Sequence, residues 1–146
     1  MKRILYVCTG NTCRSPIAQG LTNKYAKENG LDISAVSAGI FPEENASISQ
    51  NALKVLQAEG IDMSYHRARK ITEGDIDNAN AVICMSKQHA YAVISIFPNA
   101  ASKVYIMGGN GIADPYGGNI DMYEYCKENI KKNIKWAVSL LEEKNV

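Results

Sequence analysis

The stretch that decides the fold is Ile4-Leu5-Tyr6-Val7-Cys8-Thr9-Gly10-Asn11-Thr12-Cys13-Arg14-Ser15-Pro16. Its first part, Ile4–Cys8, is a continuous apolar run, which is typical of a strand buried on both faces of a parallel sheet. Ser15 and Pro16 then predict the start of a helix, with Ser15 as the cap and Pro16 in the first helical position. The chain therefore passes from a buried strand through a short loop into a helix, and Cys8 stands at the end of the strand.

The same alternation of strands and helices continues outward from this stretch. Further strands are predicted at Ile33–Ser37, Ala79–Met85 and Lys103–Met107. Helices are predicted between Ser15 and Gly30 and at Ser49–Ala58, Ile71–Asp77 (with Thr72 as its cap), Lys87–Ile96 and about Ile120–Lys144. This order predicts an α/β three-layer sandwich, with a four-stranded parallel sheet and helices on both faces. The length suits a single domain spanning residues 1–146.

Charge and composition argue against several classes of function. The chain has 16 basic and 15 acidic residues, whereas nucleic-acid binding needs a surplus of Lys and Arg. The sequence has no apolar run of the roughly 18 residues that a membrane span requires, and its N-terminus does not look like a signal peptide. We therefore expect a cytoplasmic protein without a nucleic-acid or membrane partner, whose cysteines are reduced thiols. Zinc is not expected, because Cys8 and Cys13 lack a second close pair of Cys or His.

The loop after the first strand has the composition of an anion-binding site. A loop that leads into a helix N-terminus presents several backbone N–H groups to one point, and the helix dipole reinforces them. Gly10 and Asn11 tolerate the positive φ angles that a tight ring requires. Arg14 adds a planar cation that matches two phosphate oxygens. The predicted phosphate-binding set is Thr9, Gly10, Asn11, Thr12, Cys13, Arg14 and Ser15.

Cys8 is the predicted nucleophile of this site. The converging N–H groups favour its thiolate form, and the Ser15 hydroxyl can donate a hydrogen bond to the sulfur. A thiolate beside a bound phosphate has the task of attacking phosphorus in line, which gives a phosphocysteine intermediate. The leaving group then needs a proton, and a water molecule must later lose one. The best candidate for both transfers is Asp114, in the loop after the fourth strand, where Pro115 stiffens the chain.

The two motifs together resemble the low-molecular-weight protein-tyrosine-phosphatase family. The pattern Cys-x5-Arg-Ser-Pro stands near the N-terminus, Asp-Pro-Tyr begins at residue 114, and the likeness covers the whole chain. The resemblance implies that Cys8 is the nucleophile, Arg14 the phosphate clamp and Asp114 the general acid and then the base. It implies a phosphorylated protein as the substrate, and no metal or organic cofactor.

The resemblance also implies residues that support the loop. Asn11 matches a residue that holds the loop in shape through side-chain contacts, and Ser37 and His66 match its usual partners. Ser15 matches the residue that stabilises the thiolate. Cys13 matches a position where a cysteine can form a disulfide with the nucleophile and shield it from over-oxidation. The alternative for Cys13 is a thiol that only packs the loop.

Thr12 is where the sequence departs from the tyrosine-specific members. Those members usually carry Ile or Leu there, an apolar wall for an aromatic ring, whereas members that act on phosphoarginine carry Thr. A threonine hydroxyl offers an acceptor to a polar guanidinium group, and its bulk narrows the pocket. Tyr116 is the second predicted wall. The resemblance therefore favours the protein-arginine-phosphatase branch, with phosphotyrosine as the alternative substrate.

Two other functions share parts of this pattern. Arsenate reductases share the fold and the Cys-x5-Arg loop, but they need two further cysteines a short distance apart. The position where the second would follow Cys84 is Tyr91, and Cys84 and Cys126 are expected to be structural. Cysteine-phosphorylated transporter subunits use a similar loop, but they need neither a general acid nor an arginine clamp. His89 is expected on an exposed helix face, without a function, and Tyr123 is expected to be a packing or surface residue.

Overall fold

A parallel sheet of four strands organises the computed structural model, which describes residues 1–142. The strands lie in the order β2-β1-β3-β4 and are β1 (Lys2–Cys8), β2 (Ile33–Gly39), β3 (Ala81–Cys84) and β4 (Val104–Ile106). The helices are α1 (Arg14–Glu28), α2 (Gln50–Gln57), α3 (Glu73–Asn78), α4 (Lys87–Ile96), α5 (Ile120–Lys131) and α6 (Ile134–Glu142). Within residues 1–142, no helix combines the length and the apolar character needed to cross a membrane.

The side chains of β1 separate two apolar layers. Ile4 and Tyr6 belong to the layer that packs under α1, α2, α5 and α6. Leu5 and Val7 belong to the opposite layer, under α3 and α4. Because both faces are covered, β1 needs apolar residues at every position, which explains the continuous run that predicted it. The predicted α/β fold, with a four-stranded parallel sheet and helices on both faces, is confirmed.

Helix α1 begins two residues earlier than predicted. Cys13 occupies the cap position, so that Arg14 is the first helical residue and Pro16 the third. The missing N–H of Pro16 has no cost there, because the first N–H groups of a helix lack intrahelical partners in any case. The prediction that Ser15 caps the helix is wrong, since its hydroxyl lies 2.9 Å from the sulfur of Cys8 instead.

The predicted last helix is in fact two helices. Between Lys131 and Ile134, the side-chain amide of Asn133 donates to the carbonyl of Asn129 at 2.8 Å. A side-chain bond of this kind competes with the helical ladder and favours a break. The predicted apolar stripe nevertheless lies on one buried side of the pair, at Ile130, Ile134, Val138 and Leu141. The end predicted near Lys144 lies outside the described residues.

The predicted bounds of α4 are confirmed, and the remaining boundaries lie within two residues of the prediction. Thr72 caps α3 as predicted, because its hydroxyl accepts the backbone N–H of Asp75 at 3.2 Å. A short 3-10 helix at Pro98–Lys103 was not predicted. Pro98 stands in its first turn, where the fixed φ of proline suits a tight helical start.

A buried lysine joins the end of α2 to α5. The side chain of Lys127 is 4% exposed, and its ammonium group contacts Glu59 at 2.8 Å, Glu128 at 3.0 Å and Glu124. Lys131 also contacts Glu59, at 2.9 Å, but its side chain is half exposed. The hydrogen bonds from Lys127 and then Lys131 lower the pKa of Glu59 from 4.5 to about 2. Lys127 therefore neutralises the charge of Glu59 at a place where few water molecules can solvate the carboxylate.

Lys127→Met is expected to lower the free energy of unfolding by about 3 kcal/mol at neutral pH, because it leaves a largely buried carboxylate with one exposed partner. Lys131→Met, which removes only the exposed partner, should cost less than about 1 kcal/mol. Since the pKa of Glu59 is depressed in the folded state, this stabilisation is present above pH 4.5 and is lost as the pH falls to about 2. Denaturant unfolding of both variants across this range measures the effect. Equal losses in the two variants would contradict it.

Candidate active site

The carboxyl end of β1 opens into a cavity of about 270 Å³. Its lining residues are Cys8, Thr9, Gly10, Thr12, Cys13, Arg14, Glu43, Ala46, Asp114 and Tyr116. Cys8 is 3% exposed and its sulfur is hydrogen-bonded to the Ser15 hydroxyl. The neighbouring position on β2 is Gly39, where a Cβ atom would lie 2.7 Å from the Thr9 carbonyl oxygen. Glycine at this position therefore permits the close approach of β2 to the loop.

Asn11 lies at the centre of the loop and is fully buried. Its φ angle is 58°, while Gly10, which was also expected to adopt positive φ, does not. The Asn11 side-chain amide donates to the hydroxyls of Ser15 and Ser37, each at 2.9 Å. The Asn11 carbonyl accepts a hydrogen bond from Nε2 of His66 at 2.8 Å. The Asn11 side-chain oxygen also accepts the backbone N–H of Arg69 at 3.1 Å. These four contacts on one residue fix a conformation that is otherwise uncommon for a residue with a Cβ atom.

His66 is itself held in its neutral form. Burial lowers its pKa, the hydrogen bond to the Asn11 carbonyl opposes this shift, and the charges of Arg69 and Arg67 add to the lowering. A neutral ring that bonds through Nε2 is one donor with a fixed tautomer. The structure therefore places both predicted support residues, Ser37 and His66, against Asn11.

Arg14 is buried beside Asp114, although 100 residues of chain separate them. Its Nη1 donates to the carbonyl of Ile112 at 2.9 Å, and its Nη2 lies 3.6 Å from Oδ2 of Asp114. The Asp114 side chain is half exposed, and its Oδ1 accepts the backbone N–H of Tyr116 at 3.0 Å. Tyr116 is 75% exposed. The arrangement brings a cation, a carboxylate and an aromatic ring to the mouth of one cavity.

Cys13 lies in the same loop and contacts α5. Its sulfur is 3.3 Å from the hydroxyl of Tyr123 and 3.4 Å from that of Ser49. Burial, followed by the contact with Cys13, raises the pKa of Tyr123 to about 12. Cys8 and Cys13 are both free thiols in this structure, and a disulfide between them stays a prediction.

His89 is not on an exposed face, and the prediction that it is was wrong. It is 7% exposed, its Nε2 lies 2.7 Å from Oγ1 of Thr9, and its Nδ1 lies 2.8 Å from Oγ of Ser86. The first turn of α4 lies beside the predicted phosphate loop, residues 9–15, whose Thr9 contacts the ring. Ser86 caps α4 by accepting the His89 backbone N–H. This Ser-x-x-His spacing was a local signal that His89 turns back toward the start of its helix.

The profile of the family described as low molecular weight phosphotyrosine protein phosphatase matches residues 3–146. The chain belongs to this family. It is therefore a protein phosphatase, a hydrolase whose substrates are phosphorylated proteins.

Individual relatives of this phosphatase are named for two different substrates. The protein-arginine-phosphatase of Bacillus subtilis (strain 168) is 32% identical, over 96% of this chain and 97% of its own. The low molecular weight protein tyrosine phosphatase from T. tengcongensis has a TM-score of 0.91 and 38% identity, over 95% of this chain and 99% of its own. A Cys-to-Ser mutant of YwlE arginine phosphatase, with a phosphorylated active site serine, has a TM-score of 0.90 and 30% identity, over 96% of this chain and 95% of its own.

Several residues at the phosphatase site were missed from the sequence as parts of it, among them Glu43, Ala46, His89 and Tyr123. Glu43 lines the cavity, and its place in the loop after β2 was a usable signal, because ligands bind beyond the carboxyl ends of the strands. His89 and Tyr123 reach the loop only through long-range packing. Cys84 and Cys126, expected to be structural, are buried, and burial raises the pKa of each to about 12. Within residues 1–142, no group of His, Cys, Asp or Glu is arranged to hold a metal ion.

Proposed function

We propose that the chain hydrolyses phosphoarginine side chains of proteins through a phosphocysteine intermediate on Cys8. The observation that carries this proposal is that Thr12, Glu43 and Asp114 line one cavity with Cys8. A hydroxyl and two carboxylates suit a cationic guanidinium group better than they suit an apolar ring. The Bacillus subtilis relative named a protein-arginine-phosphatase gives the proposal independent support.

The first step transfers the phosphoryl group from the arginine nitrogen to sulfur. The Cys8 thiolate, which accepts a hydrogen bond from Ser15, attacks phosphorus in line and the P–N bond breaks. Loop N–H groups and Arg14 stabilise the charge on the equatorial oxygens. Arg14 is well placed for this, because its bond to the Ile112 carbonyl fixes one edge of the guanidinium group.

Asp114 serves both steps as a proton carrier. It gives a proton to the departing guanidino nitrogen, and it then takes one from the water that attacks the phosphocysteine and releases inorganic phosphate. The bond from the Tyr116 N–H orients the carboxyl group at the cavity mouth. The exposed ring of Tyr116 can stack on the planar guanidinium group of the substrate.

Phosphotyrosine is the second candidate substrate. An aromatic residue, Tyr116, lines the cavity, and a relative with 38% identity is named a tyrosine phosphatase. Both substrates require the same nucleophile, clamp and acid. The difference between them rests on the walls of the cavity, and above all on Thr12.

Thr12→Ile is expected to lower kcat/KM for a phosphoarginine peptide and to raise it for a phosphotyrosine peptide, so that their ratio changes by about tenfold or more. The reason is that the variant exchanges a hydrogen-bonding hydroxyl for an apolar wall of similar branching, and a hydrogen bond to a charged group contributes about 1.5–3 kcal/mol. Steady-state turnover of matched peptides measures the ratio.

Thr12→Ser is the matched control, because it keeps the hydroxyl and should keep the preference. If wild-type enzyme prefers the phosphotyrosine peptide, the phosphoarginine proposal fails. If Thr12→Ile changes both substrates equally, Thr12 does not select between them.

A further inference from the structure

A chain of three side chains runs from α4 to the phosphate loop. Ser86, His89 and Thr9 are linked by contacts of 2.8 Å and 2.7 Å. Thr9 is exposed and lines the cavity that holds Cys8, while His89 is buried behind it. A buried polar chain that ends at the nucleophile's cavity can set the direction of its last hydroxyl.

The ring proton of His89 belongs on Nε2. Burial, followed by the charge of Arg14, lowers the pKa of His89 to about 4, with the Asp114 carboxylate opposing the shift. The ring is therefore neutral near pH 7, with one donor and one acceptor. Ser86 Oγ accepts the His89 backbone N–H at 3.2 Å and can give its own proton to Nδ1. If the ring proton were on Nδ1 instead, the hydroxyl proton of Ser86 would have no acceptor among the described residues.

We propose that the Thr9 hydroxyl donates a hydrogen bond to an equatorial oxygen of the transferring phosphoryl group, and that His89 positions this hydroxyl. The Nε2–H of His89 occupies a lone pair of Thr9 Oγ1, so the Thr9 proton cannot turn toward the ring and is left for the cavity. Ser86 fixes the tautomer on which this depends. Thr9 thereby adds a side-chain donor to the backbone donors of the loop.

This inference rests on the proposed phosphoryl transfer to Cys8, but it is independent of the substrate residue. The same oxygens are present whether the leaving group is a guanidine or a phenol. A donor aimed at charge that develops in the transition state raises kcat more than it tightens ground-state binding. Thr9 should therefore matter more for vanadate, which adopts a five-coordinate geometry on the cysteine, than for inorganic phosphate.

The test uses p-nitrophenyl phosphate and two matched pairs of variants of the full chain. Thr9→Val removes the hydroxyl while keeping the shape, and should lower kcat about tenfold and weaken vanadate inhibition similarly. Thr9→Ser keeps the hydroxyl and should stay within about threefold of wild type. His89→Leu should match the loss of Thr9→Val, whereas His89→Gln, whose amide N–H can replace Nε2–H, should recover most of it.

The double variant Thr9→Val/His89→Leu separates positioning from a general loss of structure. If His89 acts through the Thr9 hydroxyl, the double variant loses about tenfold rather than about a hundredfold, because coupled effects do not add. Multiplied losses, or a Thr9→Val enzyme with wild-type kcat, would overturn the inference. Should His89→Leu fail to fold, the Thr9 pair still decides whether the hydroxyl acts as a donor, and a His89→Gln enzyme that loses as much kcat as Thr9→Val would overturn the positioning by His89. A wild-type enzyme without any phosphatase activity would instead refute the proposed function.

Discussion

Cys8→Ser is expected to reduce turnover of every phosphorylated substrate by about 10⁴-fold or more, with little change in fold. The substitution keeps the size and the position of the side chain at the end of β1. It replaces sulfur by a hydroxyl oxygen, which is a far weaker nucleophile near neutral pH, and the group hydrogen-bonded to position 8 is the Ser15 hydroxyl, which does not act as a base. The substitution does not alter the proposed anion site of the loop and Arg14, so phosphate should still bind.

The same variant should accumulate the intermediate that the wild-type enzyme destroys. An oxygen ester at position 8 forms slowly, and it hydrolyses slowly as well, because the alkoxide is a poor leaving group. A Cys-to-Ser mutant of YwlE arginine phosphatase is described as carrying a phosphorylated active site serine, which is a precedent in that protein. Incubation of Cys8→Ser with a phosphoarginine protein should therefore add one phosphoryl group at position 8, detectable by mass spectrometry of the peptide.

Ser15→Ala is the matched control for this experiment. It keeps the thiol of Cys8 but removes the hydroxyl that lies 2.9 Å from it, and it should lose about 10- to 100-fold in turnover without trapping phosphate. Phosphate on another residue of Cys8→Ser, or turnover above about one per cent of wild type, would show that Cys8 is not the nucleophile.

The sequence predicts best where a single local rule fixes the structure. Both faces of β1 are covered, so the apolar run at Ile4–Cys8 had only one structural meaning. Thr72 and Asp75 form a capping box, which is a contact over three residues. The predicted phosphate loop is also local, since its proposed donors, cation and nucleophile all come from one stretch of the sequence.

Two contacts that span a long stretch of the chain were missed, although the equally distant pair Arg14 and Asp114 was predicted to share one site. His89 meets Thr9 across 80 residues, and Tyr123 meets Cys13 across 110. Helical periodicity assigned His89 to an exposed face. Whether a residue in the first turn of α4 is exposed, however, depends on which loop packs against that turn. The order of the strands in the sheet determines this, and the local sequence does not show it. The break between α5 and α6 was also missed, because the buried apolar residues keep the helical spacing from one helix to the next.

Asp114→Asn tests the proton transfers, and it should lower kcat for a phosphoarginine peptide by about 10²- to 10⁴-fold. Asparagine has the same size and can still accept the Tyr116 N–H, so the loop should keep its shape. The amide can neither give a proton to the guanidino nitrogen nor take one from water. Arg14 also loses the carboxylate at 3.6 Å, which leaves its charge free for phosphate and should not weaken inhibition by phosphate.

The dependence on the leaving group distinguishes this role from a general loss of activity. Nitrophenolate departs without a proton, so Asp114→Asn should form the phosphocysteine from p-nitrophenyl phosphate quickly and then hydrolyse it slowly. Stopped-flow absorbance should show a burst close to one nitrophenolate per enzyme, followed by a slow steady state. Asp121→Asn is the matched control, because it removes an exposed carboxylate from the first turn of α5. It should show neither the burst of nitrophenolate nor the loss of kcat. A proportional loss for good and poor leaving groups, without a burst, would mean that Asp114 carries no proton and only shapes the mouth of the cavity.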